Sequence, residues 1–421
     1  MLRYRDEPPG VRVSDADLAY LAMDRGPVPE QFAVVLVLGP GFDVERGAEL
    51  LGERAARIPR LRQRLVRVHG GPIWAGDRSF DPARHLYTRR CRQPGNERAL
   101  LDVILPEVTR WLRRDRPLWR AVFVTGLADG RTALALIVHH ALADGLGGLA
   151  VLNALVDGGE PSAEAPRRAA RDGRRRWHDL RTAMSAAGGL FAGRVGRGSL
   201  LRPTGSHRRA LAVRTELAGL RAAAHRANAT VTTVVLVAVG EALRRLLAYR
   251  GEPITAVRAG VPVSGDPRAG DGNAVGLMTV TVPVTGPRVR RMAQVVAEMR
   301  ARRPRAAGPA PITVMGQAFR LAAATGAYRW YMNRQRRLHL VVSCLRGPSE
   351  PVTLAGTAVE NMIPVAPAGA SNLTMACQAL SYGGMLTVTT VVDPVLCPDL
   401  SLFGRCLSAE LEAAAVPAAG D

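Results

Sequence analysis

Apolar and polar positions in this chain change period several times, and each change marks an element. Residues 117–127 (PLWRAVFVTGL) are apolar and rich in β-formers. Ala128-Asp129-Gly130 supplies turn chemistry, and residues 131–138 (RTALALIV) read as the return strand of a hairpin. Asp144-Gly145 breaks the strand pattern and Gly147-Gly148 loosens the chain. Leu149, Leu152, Leu155 and Val156 then recur at helical spacing. Residues 217–247 predict helices, and 253–262 and 277–284 predict strands. Residues 351–358 and 385–392 predict two more, the latter alternating cleanly. Met292, Val295, Val296 and Met299 mark one face of a surface helix over 288–305. No internal repeat is visible. Periodicity alone gives α+β with mixed sheets.

The junction after residue 138 carries the strongest chemical signal. His139-His140-Ala141-Leu142-Ala143-Asp144-Gly145 reads His-His-x-x-x-Asp-Gly at a strand-to-loop-to-helix transition. Such transitions place reactive groups on a rigid scaffold. A neutral imidazole there can accept a proton near neutral pH and return it to a leaving group. No Gly-x-Ser-x-Gly elbow points to a covalent acyl-enzyme.

Composition narrows the class. With 421 residues, 47% of them hydrophobic, the chain can bury a sizeable core in two or three domains. Cys91, Cys344, Cys377, Cys397 and Cys406 form no CxxC pair, which argues against a disulfide framework or a zinc site, so no metal is expected. Residues 1–10 lack the apolar core of a signal peptide, and the apolar run around 234–239 is too short to span a bilayer. The expected location is cytoplasmic, with a peripheral contact to membrane or lipid inclusions as a further expectation.

The net charge is +21, and all 57 basic residues are arginine. Together with abundant alanine, glycine and proline, this suggests a GC-rich, actinobacterial source. Twelve arginines crowd residues 167–209, among them Arg174, Arg175 and Arg176 beside Trp177. This basic segment fits an anionic lipid surface or a solvated connection between domains. No zinc-finger, RNP or basic-zipper pattern occurs, so no nucleic-acid partner is expected. The chain divides into a half over 1–157, a basic Pro/Gly-rich connector over 158–205, and a half over 206–421.

Several blocks together resemble one family. His-His-x-x-x-Asp-Gly is the signature of the CoA-dependent acyltransferase superfamily. Pro117-Leu118-Trp119, residues 229–247, Val261-Pro262-Val263-Ser264 followed by Gly272-Asn273, and residues 13–21, 359–367 and 381–399 resemble the bacterial wax ester synthase/diacylglycerol acyltransferases. The likeness covers nearly the whole chain. It implies two chloramphenicol-acetyltransferase-like α/β halves with an active-site channel between them. It also implies acyl transfer from acyl-CoA, as co-substrate, to an alcohol or amine acceptor, with no bound cofactor.

The resemblance assigns roles by position. His140 becomes the general base and His139 a support for the loop. Asp144 becomes a brace paired with an arginine, for which Arg258 and Arg268 are candidates, and Gly145 a position where a side chain would obstruct the channel. Thr232 or Thr233, with Asn273 next, become candidate oxyanion donors. The chain also departs from the pattern. Thr232-Thr233 replaces the usual Asn-Asp, Cys344 stands in a Ser-Asn-Val-Pro-Gly-Pro block, and Gly276 replaces a frequent serine. These departures leave three readings: storage-lipid O-acyltransferase; a specialised-metabolism relative acylating a small polar acceptor, with an acyl carrier protein as an alternative donor; and a non-catalytic lipid-surface binder.

Overall fold

The computed structural model describes residues 10–69, 71–143, 145–159, 194–264, 275–306, 316–369 and 371–416. Among them, strands β1–β15 run in order: Gly10–Arg12, Gln31–Leu38, Gln63–Val68, Gly71–Gly76, Leu86–Arg90, Trp119–Thr125, Thr132–His139, Arg209–Glu216, Ala256–Ser264, Val275–Pro283, Leu340–Arg346, Thr353–Leu354, Thr357–Val365, Met375–Tyr382 and Met385–Val392. One six-stranded sheet has the order β12-β13-β2-β7-β6-β5 and the other β10-β9-β11-β14-β15-β8. A small sheet, β1-β4-β3, flanks them. Both large sheets mix parallel and antiparallel pairs. This is the expected α/β fold.

Strand β2 shows why the first sheet holds together. Successive side chains point to opposite faces of a strand. Phe32, Val34, Leu36 and Leu38 enter one core, beside Leu51 and Ala55 of the Val44–Arg57 helix. Ala33, Val35 and Val37 enter another, beneath Leu100, Leu101, Ile104, Leu105 and Val108 of the Glu97–Thr109 helix. All eight β2 residues are buried, as a central strand covered on both faces requires. Each fully buried aliphatic side chain contributes about 1.5–3 kcal/mol of transfer free energy. One face of the second sheet is covered by the Val231–Tyr249 and Leu400–Ala415 helices, which pack against each other, with Leu243, Leu246, Phe403 and Leu407 in the shared core.

The β6–β7 hairpin forms in the expected place, turning through Asp129 at φ 60° and Gly130 at φ 69°. The helical stretch after residue 217 forms as two helices, Leu217–Arg226 and Val231–Tyr249. Asn228 takes φ 47° between them, and the Thr230 side chain caps the second by accepting the Thr233 N–H.

The expected strand over 351–358 is corrected. It is two short pairing segments around a turn, because Ala355 and Gly356 adopt φ 50° and 77°, outside the strand region. The resulting β12–β13 hairpin leaves the later half and joins the first sheet, where β13 pairs with β2. Asp157 holds that crossing. Its carboxylate accepts Thr353 Oγ1 at 2.8 Å, the Ala355 N–H at 3.2 Å, the Gly356 N–H at 2.8 Å and Arg54 Nη2 at 2.6 Å. Burial alone would raise the Asp157 pKa. The Gly356 N–H, Arg54 and Thr353 outweigh it and pull the carboxyl down to about 2. The two halves are therefore laced together, with residues 353–365 of the later half contributing to the earlier half's sheet.

Of the connector, residues 158–159 and 194–205 are described. There the Val195 N–H donates to Arg336 O, Arg336 Nε donates back to Val195 O, and Ser199 bonds Glu252. Arg174, Arg175, Arg176 and Trp177 lie outside the described residues.

Candidate active site

Three groups position the histidine pair. His139 closes β7 opposite Gln31 of β2, and its N–H donates to the carbonyl of Leu118, within Pro117-Leu118-Trp119. The neighbouring Trp119 is anchored by its Nε1 donating to Leu61 O at 2.8 Å. Beyond the strand, the His140 N–H donates to Glu30 O at 2.9 Å. Arg60 then clamps the loop, donating to the carbonyls of Leu142 and Ala141 at 3.1 Å each. Asp17 holds Arg60 at 3.1 Å and also accepts Trp74 Nε1 at 3.0 Å, while the guanidinium lies 4.1 Å over the Trp74 ring.

The two imidazoles occupy different environments. The His139 ring is buried, and its Nδ1 accepts the Ala141 N–H at 2.9 Å. Its proton therefore sits on Nε2, which lies 3.1 Å from Asp24 Oδ2, off the ideal hydrogen-bond line. Asp24 also accepts Arg114 Nη2 at 2.8 Å and the Glu30 N–H at 2.9 Å. Burial would raise the Asp24 pKa, but His139, the Glu30 N–H and Arg114 outweigh it and hold it below the usual carboxylate value. This makes His139 a structural member of a charged network.

His140 lies between aromatic rings. Tyr20 stacks on it at 5.1 Å and 17°, and Phe32 packs at 4.8 Å. Burial, and then His139, push the His140 pKa down to about 3, so the imidazole is neutral at physiological pH. Two glycines of the following Gly145–Leu155 helix make this packing possible. A β-carbon at Gly148 would lie 2.5 Å from the Phe32 ring, and one at Gly145 would lie 3.3 Å from Leu345 of β11. Gly145 thus marks a close approach between the two halves.

The other expected residues fall elsewhere. Thr233 is buried at the start of the Val231–Tyr249 helix, its hydroxyl bonded to Thr230 and donating to Met299 Sδ at 3.7 Å. The Thr232 side chain faces Cys344; burial pushes the Cys344 thiol up to about 12 against a smaller lowering by Thr232. Two departures from the family pattern therefore meet in space. Asp144, Arg268, Gly272 and Asn273 lie outside the described residues. Arg258 is on β9, where burial is the main influence lowering its pKa and Arg302 and Glu298 are nearby charges.

Reading the sequence missed Asp24, Arg60, Arg114, Phe32 and Glu30 as parts of this site. Asp17 and Tyr20 fell inside residues 13–21, noted only for resemblance. All five cysteines are free thiols, and no cluster of metal ligands occurs among the described residues. A polar hollow lined by Arg64, Asp77, Asp81, Arg84, Asp115 and Arg116 includes none of the motif residues, and its three aspartates balance its three arginines.

Two mixed-sheet halves laced together, with paired histidines closing a central strand, define a CoA-dependent-acyltransferase fold. The wax ester synthase/diacylglycerol acyltransferase catalytic domain matches residues 14–196 and the C-terminal domain of the same family matches residues 271–414; the chain belongs to this family and is an acyltransferase. It is 28% identical over 411 residues to the probable diacylglycerol O-acyltransferase tgs1 of Mycobacterium tuberculosis, covering 89% of this chain and 88% of that one. Its fold matches the wax ester synthase/diacylglycerol acyltransferase of Marinobacter aquaeolei VT8, with TM-score 0.69, 22% identity, and 96% and 99% of the two chains covered. It also matches the first condensation domain of the calcium-dependent antibiotic synthetase, with TM-score 0.66, 19% identity and 98% of each chain covered. The starter condensation domain of rhizomide synthetase in complex with C8-CoA gives TM-score 0.63 at 14% identity, covering 97% and 96%. Among the described residues, no helix is long and apolar enough to cross a membrane.

Proposed function

We propose that this chain transfers an acyl group from acyl-CoA to an alcohol acceptor, with His140 as the general base. The observation that carries this is the placing of the His140 imidazole, packed between Tyr20 and Phe32 while its main-chain N–H is held by Glu30 O; burial lowers its pKa and so favours the neutral ring. The acceptor O–H gives its proton to His140 as its oxygen attacks the thioester carbonyl. The tetrahedral oxyanion collapses, the C–S bond breaks, and the thiolate takes the proton back from the imidazolium. The products are an ester and free CoA. The scheme balances with acyl-CoA as co-substrate and calls for no bound cofactor.

Supporting roles follow position. Asp144 braces the loop, Gly145 admits β11, and Thr232 or Asn273 donates to the oxyanion; Thr233, with its hydroxyl engaged by Thr230 and Met299, serves the helix start. The curated relatives named as diacylglycerol O-acyltransferases favour a lipid alcohol as acceptor. The paired departures at Thr232 and Cys344 favour the second reading, a small polar acceptor. A peripheral contact of the basic connector with anionic lipid fits the lipid reading.

The test is thiol release from acyl-CoAs of several chain lengths with a diacylglycerol, a long-chain alcohol and small polar alcohols, products being read by mass spectrometry. Ester formation coupled to CoA release supports the proposal. Transfer only from a carrier-protein thioester would overturn the CoA donor, and no transfer from any thioester would overturn the reaction.

A further inference from the structure

In this arginine-rich chain, buried carboxyls are matched with cations. Asp17, Asp24, Glu107, Glu241, Asp393 and Glu410 each lie within 3.9 Å of an arginine. Glu30, partly buried beside the histidine loop, is different: among the described residues no cation lies in ion-pair range of its carboxyl. Its main chain is fully used, the N–H donating to Asp24 Oδ1 and the C=O accepting the His140 N–H. These bonds fix Glu30 directly beside the proposed base. Its carboxyl rests on Gly369, so closely that a β-carbon there would collide with Oε1.

Among the described residues, the surroundings supply no compensating charge. The titratable groups facing Glu30, again among the described residues, are Asp24 at the end of the Asp15–Met23 helix and Tyr328 on the Ala327–Met332 helix, with Tyr20 in turn beside Tyr328. The Tyr328 hydroxyl donates to Met23 Sδ at 3.2 Å, and Tyr20 stacks on His140. Burying a carboxyl without a donor or cation is costly, and such groups concentrate where a ligand supplies the missing partner.

We propose that Glu30 is the acceptor-recognition residue of this site, binding a second hydroxyl or an ammonium group of the acceptor that His140 deprotonates. This rests on the His140 reading and narrows the acceptor to a polar alcohol carrying another hydrogen-bond donor. Burial, and then Asp24, raise the Glu30 pKa to about 7. The carboxyl can therefore donate to a hydroxyl when protonated and bind a cation when ionised.

The experiment compares a long-chain alkanol with the matching diol and amino alcohol, using one acyl-CoA, in wild type, Glu30→Gln and Glu30→Met. Folding of each variant is checked by its melting curve. A hydrogen bond to a charged group corresponds to a preference of about ten- to hundredfold. Wild type should favour the diol and amino alcohol over the alkanol by that factor. Glu30→Met should remove or reverse the preference. Glu30→Gln should keep the diol and lose the amino alcohol. In wild type alone, the amino-alcohol preference should fall as pH drops through about 7. Equal acceptor ratios in wild type and Glu30→Met would overturn the assignment. If no acceptor supports CoA release, the transfer reading fails separately. Calorimetric binding of the same three acceptors then decides Glu30, equal affinities in wild type and Glu30→Met overturning its role.

Discussion

The histidine loop and the strand it meets, β11, treat polar groups in opposite ways. Around His139 and His140 the scaffold is charged: Asp24 with Arg114, and Asp17 with Arg60 and Trp74. Across the contact from Gly145 to Leu345, β11 carries Cys344 against Thr232, both uncharged. Losing one partner of a buried charge pair leaves the other desolvated, whereas trading one small neutral group for another changes little. The charged wall therefore holds the base rigidly. The neutral wall can change at low cost, and two of this chain's departures from the family pattern, Thr232 and Cys344, lie on it.

The largest effect should come from His140→Ala. Removing one general base typically slows reaction about 10²- to 10⁴-fold. The main-chain hydrogen bond to Glu30 O survives this substitution, so the loop should keep its place. Steady-state thiol release on a variant verified by circular dichroism measures this, and near-normal turnover would remove His140 from the chemistry.

Asp24→Ala comes next and strikes the charged wall itself. It strips the Nε2 side of His139 and releases Arg114, whose side chain is half exposed, so solvent screening lowers the cost from the about 3–5 kcal/mol of a fully buried pair to about 2 kcal/mol. Urea unfolding should register that loss. A change below about 1 kcal/mol would mean that the network is no stronger than a surface ion pair.

Asp157→Ala tests the lacing between the halves. Its carboxyl is depressed to about 2, so the stabilisation is present above the unfolded aspartate value and is lost as pH falls from about 4 toward 2. With a quarter of the side chain exposed, solvent screening reduces the contribution to about 1–2 kcal/mol at neutral pH. The stability difference from wild type should shrink in acid; a difference independent of pH would show that lost packing, not the charge, is responsible.

The smallest stability effect belongs to the neutral wall. Thr232→Val should cost about 1 kcal/mol or less, the worth of one neutral hydrogen bond. If Thr232 donates to the oxyanion, the rate should fall about 10²-fold nonetheless. An unchanged rate would pass that role to Asn273.

Local elements were legible in the sequence because local signals made them. The β6–β7 hairpin, β15 and the helices after residue 217 follow apolar periodicity and turn residues. The motif histidines were legible because their spacing is local as well. The supports were not. Asp24 and His139 lie far apart in sequence, as do Arg60 and Ala141, and no window of the chain contains both members of either pair. The β12–β13 crossing was hidden for a related reason. Ala355 takes a left-handed conformation that alanine does not prefer, and it sits in a turn bound by Asp157, remote in sequence. Glu30 carried no signal, since its meaning depends on which groups the fold brings around its carboxyl.

The central claim is that His140 is a neutral base, and its protonation state can be observed directly. Nitrogen-15 spectra of ring-labelled histidine, with the His140 signals assigned by their loss in His140→Ala, should show a neutral imidazole from pH 8 down to 5, in keeping with a pKa near 3. The same shift makes stability fall as pH drops below the unfolded histidine value of about 6.5, because only the unfolded chain readily takes up that proton. A His140 ring that titrates near 6.5 in the folded protein would contradict the account.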